Sequence, residues 1–182
     1  MRHLKIINSI LLIILLFLTT SCSNNSAMKP EDFKNKKPRL IIEEYLSGNV
    51  KAWGVLQNRS GKVTRQFSAD LNGSWDGKQL ILKEKFNWDD GEVQNREWKI
   101  NKIDEHNYEG TAGDVVGKAI GFSYGPAFKF EYVLLVPVKG KELKITFDDW
   151  IFKQDDRVAI NRATMTKFGF KVAELTVVFV KD

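Results

Sequence analysis

Six ionisable residues stand in stretches that otherwise alternate apolar with polar: Arg65, Glu84, Arg96, Asp114, Asp149 and Arg162. Arg65 keeps step with Val63, Phe67, Ala69 and Leu71, and Glu84 with Leu80, Leu82, Phe86 and Trp88. Arg96 keeps step with Trp98 and Ile100, and Asp114 with Tyr108, Ala112 and Val116. Asp149 goes with Leu143, Ile145, Phe147 and Ile151, and Arg162 with Val158 and Ile160. Alternate side chains of a strand share a face, so all six are expected on the interior, apolar one. A bulge would reverse the faces beyond it, and the doublet Asp148-Asp149 is exposed to that reversal.

A buried charge without a partner costs several kcal/mol, so each of these groups needs a counter-charge, water or a ligand. Three bases and three acids could pair completely and lock the strands in register. They could instead serve a pocket. The planar guanidinium fork suits a carboxylate or phosphate head group, and Phe67, Phe86, Trp98, Phe128, Phe130 and Tyr132 could line an apolar chamber for a tail. A catalytic reading would make Glu84 or Asp149 a general base. It requires an inward carboxylate that no arginine neutralises, beside an open pocket, because a paired carboxylate is held too acidic.

Other chemistries find little support. His3 and His106 are the two histidines, and His106 lies in the polar stretch KIDEHNYEG. The acidic groups Asp89, Asp90 and Glu92, and Asp148, Asp149, Asp155 and Asp156, lack the spacing of a calcium loop. The glycines of TAGDVVGKAIGFSYG lack the strand-then-helix setting of a phosphate loop. The expectation is no metal, no cofactor and no assigned catalytic residue. The formal net charge is +5, with acids and bases interleaved along the chain, which argues against a nucleic-acid partner.

The elements that position these residues begin after an address signal. Arg2 and Lys5 precede an apolar run from Ile10 to Leu18, then Thr19, Thr20, Ser21 and the single cysteine, Cys22. The run is too short to span a bilayer and has the three-part grammar of a secretory signal. It resembles a lipobox, which implies cleavage after residue 21 and lipidation of Cys22. Acylation would attach the chain to a membrane surface and remove the one free thiol. Ser23 follows the cysteine, so the resemblance implies the outer membrane, facing the periplasm. Residues 22–38, with SNNS, two prolines and KNKK, read as a flexible tether.

From residue 39 to 182 the texture is that of successive strands. Ser47-Gly48, Ser60-Gly61, Asn72-Gly73, Asp76-Gly77, Asp90-Gly91, Gly125-Pro126 and Lys139-Gly140 read as turn signals. A short helical turn fits Pro30 to Asn35 or Ile42 to Leu46. The closely spaced connections lack room for crossover helices, which disfavours a parallel sheet. The expected fold is all-β: a single antiparallel meander β-barrel of about nine or ten strands.

The order of motifs resembles the DUF3833 family. The resemblance is carried by EEYLSG (43–48), AWGVLQNRSGKVTRQF (52–67), GSW (73–75), DDGEVQNREW (89–98), YEGTAGDVVGKAIG (108–121), FDDW (147–150), DRVAINRATMTKFG (156–169) and LTVVF (175–179). It implies a bacterial lipoprotein without assigned activity and a fold similar to the lipocalin-like or calycin barrels. Genes of that family tend to neighbour enzymes that modify membrane fatty acids, which implies a lipid ligand. The leading expectation is therefore a noncatalytic, membrane-anchored barrel that binds a small amphiphile such as a fatty acid or modified lipid. Its candidate ligand-binding residues are Arg65, Glu84, Arg96, Trp98, Asp114, Phe128, Phe130, Tyr132, Asp149 and Arg162. The rival expectations are a packed, salt-bridged barrel that docks an envelope protein, and a lipid-modifying enzyme.

Overall fold

The computed structural model describes residues 27–138 and 140–182. The expected signal (1–21), Cys22 and the start of the tether lie outside the described residues. Ten strands follow one another: β1 (Gly48–Asn58), β2 (Val63–Trp75), β3 (Gln79–Trp88), β4 (Val93–Lys102), β5 (Asn107–Thr111), β6 (Ala119–Tyr124), β7 (Ala127–Val138), β8 (Lys141–Lys153), β9 (Val158–Lys167) and β10 (Phe170–Lys181). Each pairs antiparallel with its sequence neighbours, and β1 pairs with β10, closing an up-and-down barrel. Closure removes the free outer strands that an open sheet would have. All ten strands and the buried core lie in these residues.

Alternation builds the core. Leu80 and Leu82, Trp98 and Ile100, and Phe128, Phe130, Tyr132 and Leu134 are buried, with polar residues between them facing out. The register runs unbroken through Asp148-Asp149, with Glu131 opposite Asp148 and Phe130 opposite Asp149, so the expected faces hold there. Register shifts occur instead at Leu56/Gln57 and Lys171/Ala173.

Both expected helical turns form, as a 3-10 turn over Pro30–Phe33 and a short helix, α1 (Ile42–Tyr45). Phe33 lies against the outward Trp150 and Phe152, and so covers them. Helix α1 closes one end of the barrel with the buried Ile42, Tyr45 and Leu46. Its final carbonyls, which a helix cannot satisfy internally, accept from the Lys181 ammonium at Glu44 and Tyr45.

The structure corrects two expectations here. Asn72-Gly73 is not a turn but lies within β2. Gly73 is needed for close approach: a Cβ there would fall 1.9 Å from the Leu46 carbonyl oxygen, where α1 seats. Asp114 is not on a strand. β5 ends at Thr111, and residues 112–118 cross the barrel wall as a loop, tied to β7 by a Val115–Leu134 bridge. The loop still delivers Asp114 to the interior, because β5 and β6 are short and leave the upper halves of β4 and β7 unpaired with each other.

Candidate functional site

The interior is not filled. A cavity of about 270 Å³ extends from Ile42 and Leu46 at the plugged end to Arg65, Glu92 and Pro137 at the other. Room for large rings comes from glycines on the inward face. A Cβ at Gly110 would meet the Phe130 ring at 2.4 Å, and one at Gly54 would meet the Phe67 ring at 2.3 Å. The rings then pack on one another. Trp98 lies 5.2 Å from Phe130 and 5.3 Å from Tyr132, and Tyr132 stacks on Phe147 at 5.0 Å. Aromatic pairs at these separations rigidify the wall beyond what area burial alone provides.

Two polar groups interrupt this lining. In the first, Arg96 donates from Nε and Nη2 to one oxygen of Asp114, at 3.0 and 2.8 Å. Its Nη1 stands 3.8 Å from Glu84 Oε2, an ion pair without a hydrogen bond. Glu84 Oε2 and Asp114 Oδ1 are buried acceptors with no hydrogen-bond partner. Burial pushes the Glu84 carboxyl up to about 7, against the pull of Arg96. Burial opposes the charge of Arg96, but Glu84 and Asp114 outweigh it and hold the guanidinium above its ordinary pKa.

In the second group, Tyr132 donates its hydroxyl to Asp149 Oδ2 at 2.8 Å, and Asn161 donates to Asp149 Oδ1. Asn161 also donates to the Trp150 carbonyl at 3.1 Å, which fixes its amide. Burial lifts Asp149 to about 6 despite the two hydrogen bonds. Burial first, and Asp149 second, push the Tyr132 phenol well above its ordinary value, so Tyr132 remains a proton donor. Three interior acids thus face one interior arginine. The imbalance is eased because burial raises the carboxyls of Glu84 and Asp149, so that both take up a proton more readily than an exposed acid does.

Arg65 sits at the open end. It bonds Asp90 at 2.7 Å and Glu92 at 2.9 Å and lies 4.0 Å over the Trp88 ring. Arg162 corrects the expectation outright. Its side chain is 66% exposed on the outer face and reaches Glu174 at 3.5 Å. The inward residues of β9 are Ala159, Asn161 and Ala163. Small side chains suit a wall faced by Phe147 and Tyr132, whereas Ile160 lies outside between Phe152 and Val178. That apolar outer stripe imitates a core face in sequence. An interior cluster of three arginines, waiting for an anion, does not form.

Asn161 is the site residue that sequence reasoning missed. The signal was present: alanines two positions to either side of it mark the crowded inner face. A polar trio at the plug was also missed. Glu43 of α1 accepts from Lys102 and from the Tyr108 hydroxyl at 2.9 Å, and burial with Glu43 raises the Tyr108 phenol. Among the described residues no group of three His, Cys, Asp or Glu side chains converges as a metal site would.

A family model matches residues 16–181, nearly the whole of the sequence and every strand of the barrel. This chain belongs to the DUF3833 family. Its description is a protein of unknown function. No curated protein matches the DUF3833 chain. Among solved structures, the S-type phycobiliprotein lyase CPES from Guillardia theta is similar at a TM-score of 0.57 and 10% identity, over 77% of this chain and 90% of that one. A protein of unknown function from the DUF3598 family of Nostoc punctiforme is similar at a TM-score of 0.60 and 14% identity. That match covers 81% of this chain and about half, 51%, of the other. At such identities the likeness concerns the fold: the DUF3833 barrel is a lipocalin-like, calycin-type barrel.

Proposed function

We propose that this protein is a membrane-anchored, noncatalytic barrel that binds a small amphiphile in its cavity. The carrying observation is an aromatic-lined chamber of about 270 Å³ whose wall holds two buried acceptors without partners, Glu84 Oε2 and Asp114 Oδ1. Such a volume lies near the lower end of ligand pockets, roughly 300–1,000 Å³. A rigid apolar lining with a few placed polar groups is the usual composition of such pockets. Because Arg65 and Arg96 are already engaged by acids and Arg162 faces out, we assign head-group recognition to the acids. The head group is one that donates hydrogen bonds, a hydroxyl or amide, and the tail lies toward Trp98, Phe128 and Phe130. A fatty acid or modified lipid with a hydroxyl meets that chemistry. Lipidation of Cys22 would hold the barrel at the periplasmic face of the outer membrane, within reach of such lipids.

Native mass spectrometry of the protein purified from its own envelope, followed by solvent extraction, tests this reading. The expected result is a defined amphiphile near one per barrel, lost when Met165→Trp fills the mouth of the cavity. A bare protein that also ignores added fatty acids, hydroxylated lipids and phospholipids would refute it.

One observation favours a second reading, an enzyme. Asp149 is an inward carboxylate beside the open cavity, bonded to Tyr132 and Asn161 and to no arginine. A carboxylate lifted to about 6 is poised as a general base near neutrality. Turnover of a bound lipid that rises as pH passes 6 and vanishes in Asp149→Asn, with binding retained, would replace the carrier reading.

A further inference from the structure

The cavity does not account for the apolar side chains on the hairpin tips around its mouth. In an up-and-down barrel the β1–β2, β3–β4, β5–β6, β7–β8 and β9–β10 turns share one end. That end lies opposite the α1 plug. There Phe168 is 88% exposed and Phe170 71% exposed, on either side of Gly169 in the β9–β10 turn. Val138 and Val63, on the two neighbouring hairpins, are exposed as well. Contiguous apolar side chains on a surface mark an interaction site more often than scattered ones do.

The turn itself is unusual. Phe168 has φ +52°, followed by Gly169 at φ +80°. Two-residue hairpin turns with both central residues in the left-handed region favour Asn, Asp or Gly at these positions. A bulky aromatic is disfavoured there, and here the ring projects outward rather than into the core. Strain of this kind, held where it serves no packing, points to a functional contact.

Charge supplies the second observation. The same three hairpins, consecutive around the barrel, carry Arg59, Lys62, Lys141, Lys167 and Lys171 beside the apolar tips. Their acids are Glu142 and Glu174, and Glu174 is already engaged by Lys171 and Arg162. Across the mouth, the β3–β4 hairpin is opposite in sign, with Asp89, Asp90 and Glu92. The open end therefore has a basic side that carries the two exposed Phe rings and an acidic side, where Arg65 engages Asp90 and Glu92 and Val93 is the exposed apolar residue.

We propose that the basic, apolar side of the mouth docks on an anionic lipid bilayer. Phe168 and Phe170 enter the boundary between head groups and acyl chains, and the lysines meet the lipid phosphates. A second copy docked basic side to basic side would bring like charges together, whereas an anionic surface complements that side. Met165 and Leu175, on the strands that carry the Phe tips, line the cavity mouth. An amphiphile leaving a docked bilayer would reach the chamber without crossing water. That passage rests on the carrier reading, but the docking does not.

Vesicle flotation with residues 27–182 tests the docking. The expected result is binding to vesicles containing phosphatidylglycerol, weak binding to pure phosphatidylcholine, and a steep loss with added salt. Phe168→Asn with Phe170→Ser lowers binding by about tenfold or more; Asn tolerates the left-handed backbone, so the fold is kept. Lys141→Glu with Lys171→Glu lowers it at low salt. Failure of the unaltered protein to bind phosphatidylglycerol vesicles overturns the proposal, as does binding indifferent to the Phe substitutions. Vesicle-free self-association that the Phe substitutions abolish assigns the rim to a second copy and overturns it too. Met165→Trp is expected to leave flotation unchanged, which separates a failure of docking from a failure of ligand binding.

Discussion

Replacing Glu84 by Gln is expected to stabilise the barrel at pH 8 and to change it little at pH 4.5. Glu84 is 11% exposed, bonded to no donor at Oε2, and only loosely paired with Arg96. Burial raises its carboxyl from an ordinary 4.5 to about 7. The folded chain therefore holds this proton more tightly than the unfolded chain does. The resulting stabilisation is fully present below the unfolded value near 4.5 and is lost as pH rises through 7. At roughly 1.4 kcal/mol per decade, the displacement amounts to about 3 kcal/mol. Gln keeps the shape and has no proton to lose, so the variant escapes this penalty. Urea unfolding at pH 4.5 and pH 8 gives the two differences directly, and Asp149, present in both proteins, cancels between them. For a chain of this size about 3 kcal/mol corresponds to roughly 6–12 °C in Tm. A Gln variant whose advantage is the same at both pH values, or that is less stable at pH 8, would refute the idea that Glu84 is a strained acid. Bound amphiphile that satisfies Glu84 Oε2 reduces the effect, so the comparison is made on delipidated protein.

The remaining predictions concern the neighbours of that acid. Arg96→Met leaves Glu84 and Asp114 without their cation, and is expected to destabilise the barrel by about 3–5 kcal/mol in chemical denaturation at pH 8. Protonation of Glu84 shrinks that loss at pH 4.5. Gly73→Ala drives a methyl into the Leu46 carbonyl at the plug; a loss of about 1–3 kcal/mol or more is expected, with faster hydrogen exchange in α1. Asp149→Asn sets an amide against the Asn161 amide and is expected to cost about 1–3 kcal/mol, read from denaturant midpoints.

The sequence by itself determined the barrel. Period-two alternation with short turns allows only antiparallel neighbours, and that many strands in one chain close on themselves more readily than they leave two edges. It also placed Arg65, Glu84, Arg96, Trp98, Phe128, Phe130, Tyr132 and Asp149 on the inner face, because parity along a strand is a local property. Where both faces of a strand were apolar, parity stopped deciding. β9 carries Val158 and Ile160 on one face and Ala159, Asn161 and Ala163 on the other. The larger side chains lie outside, because Phe147 and Tyr132 already occupy the interior beside the small ones. Only the closed barrel reveals that competition for volume, and so only the structure turns Arg162 outward and Asn161 inward. Hollow against packed was equally beyond the sequence, since inward residues look alike in both. Whether the interior is full depends on where glycines admit rings and on how a four-residue helix plugs one end. The pairing of charges was decided at the same level. The sequence offered three bases for three acids, and closure left Arg96 alone among Glu84, Asp114 and Asp149, because counter-charges are matched by distance across the barrel rather than by count along the chain.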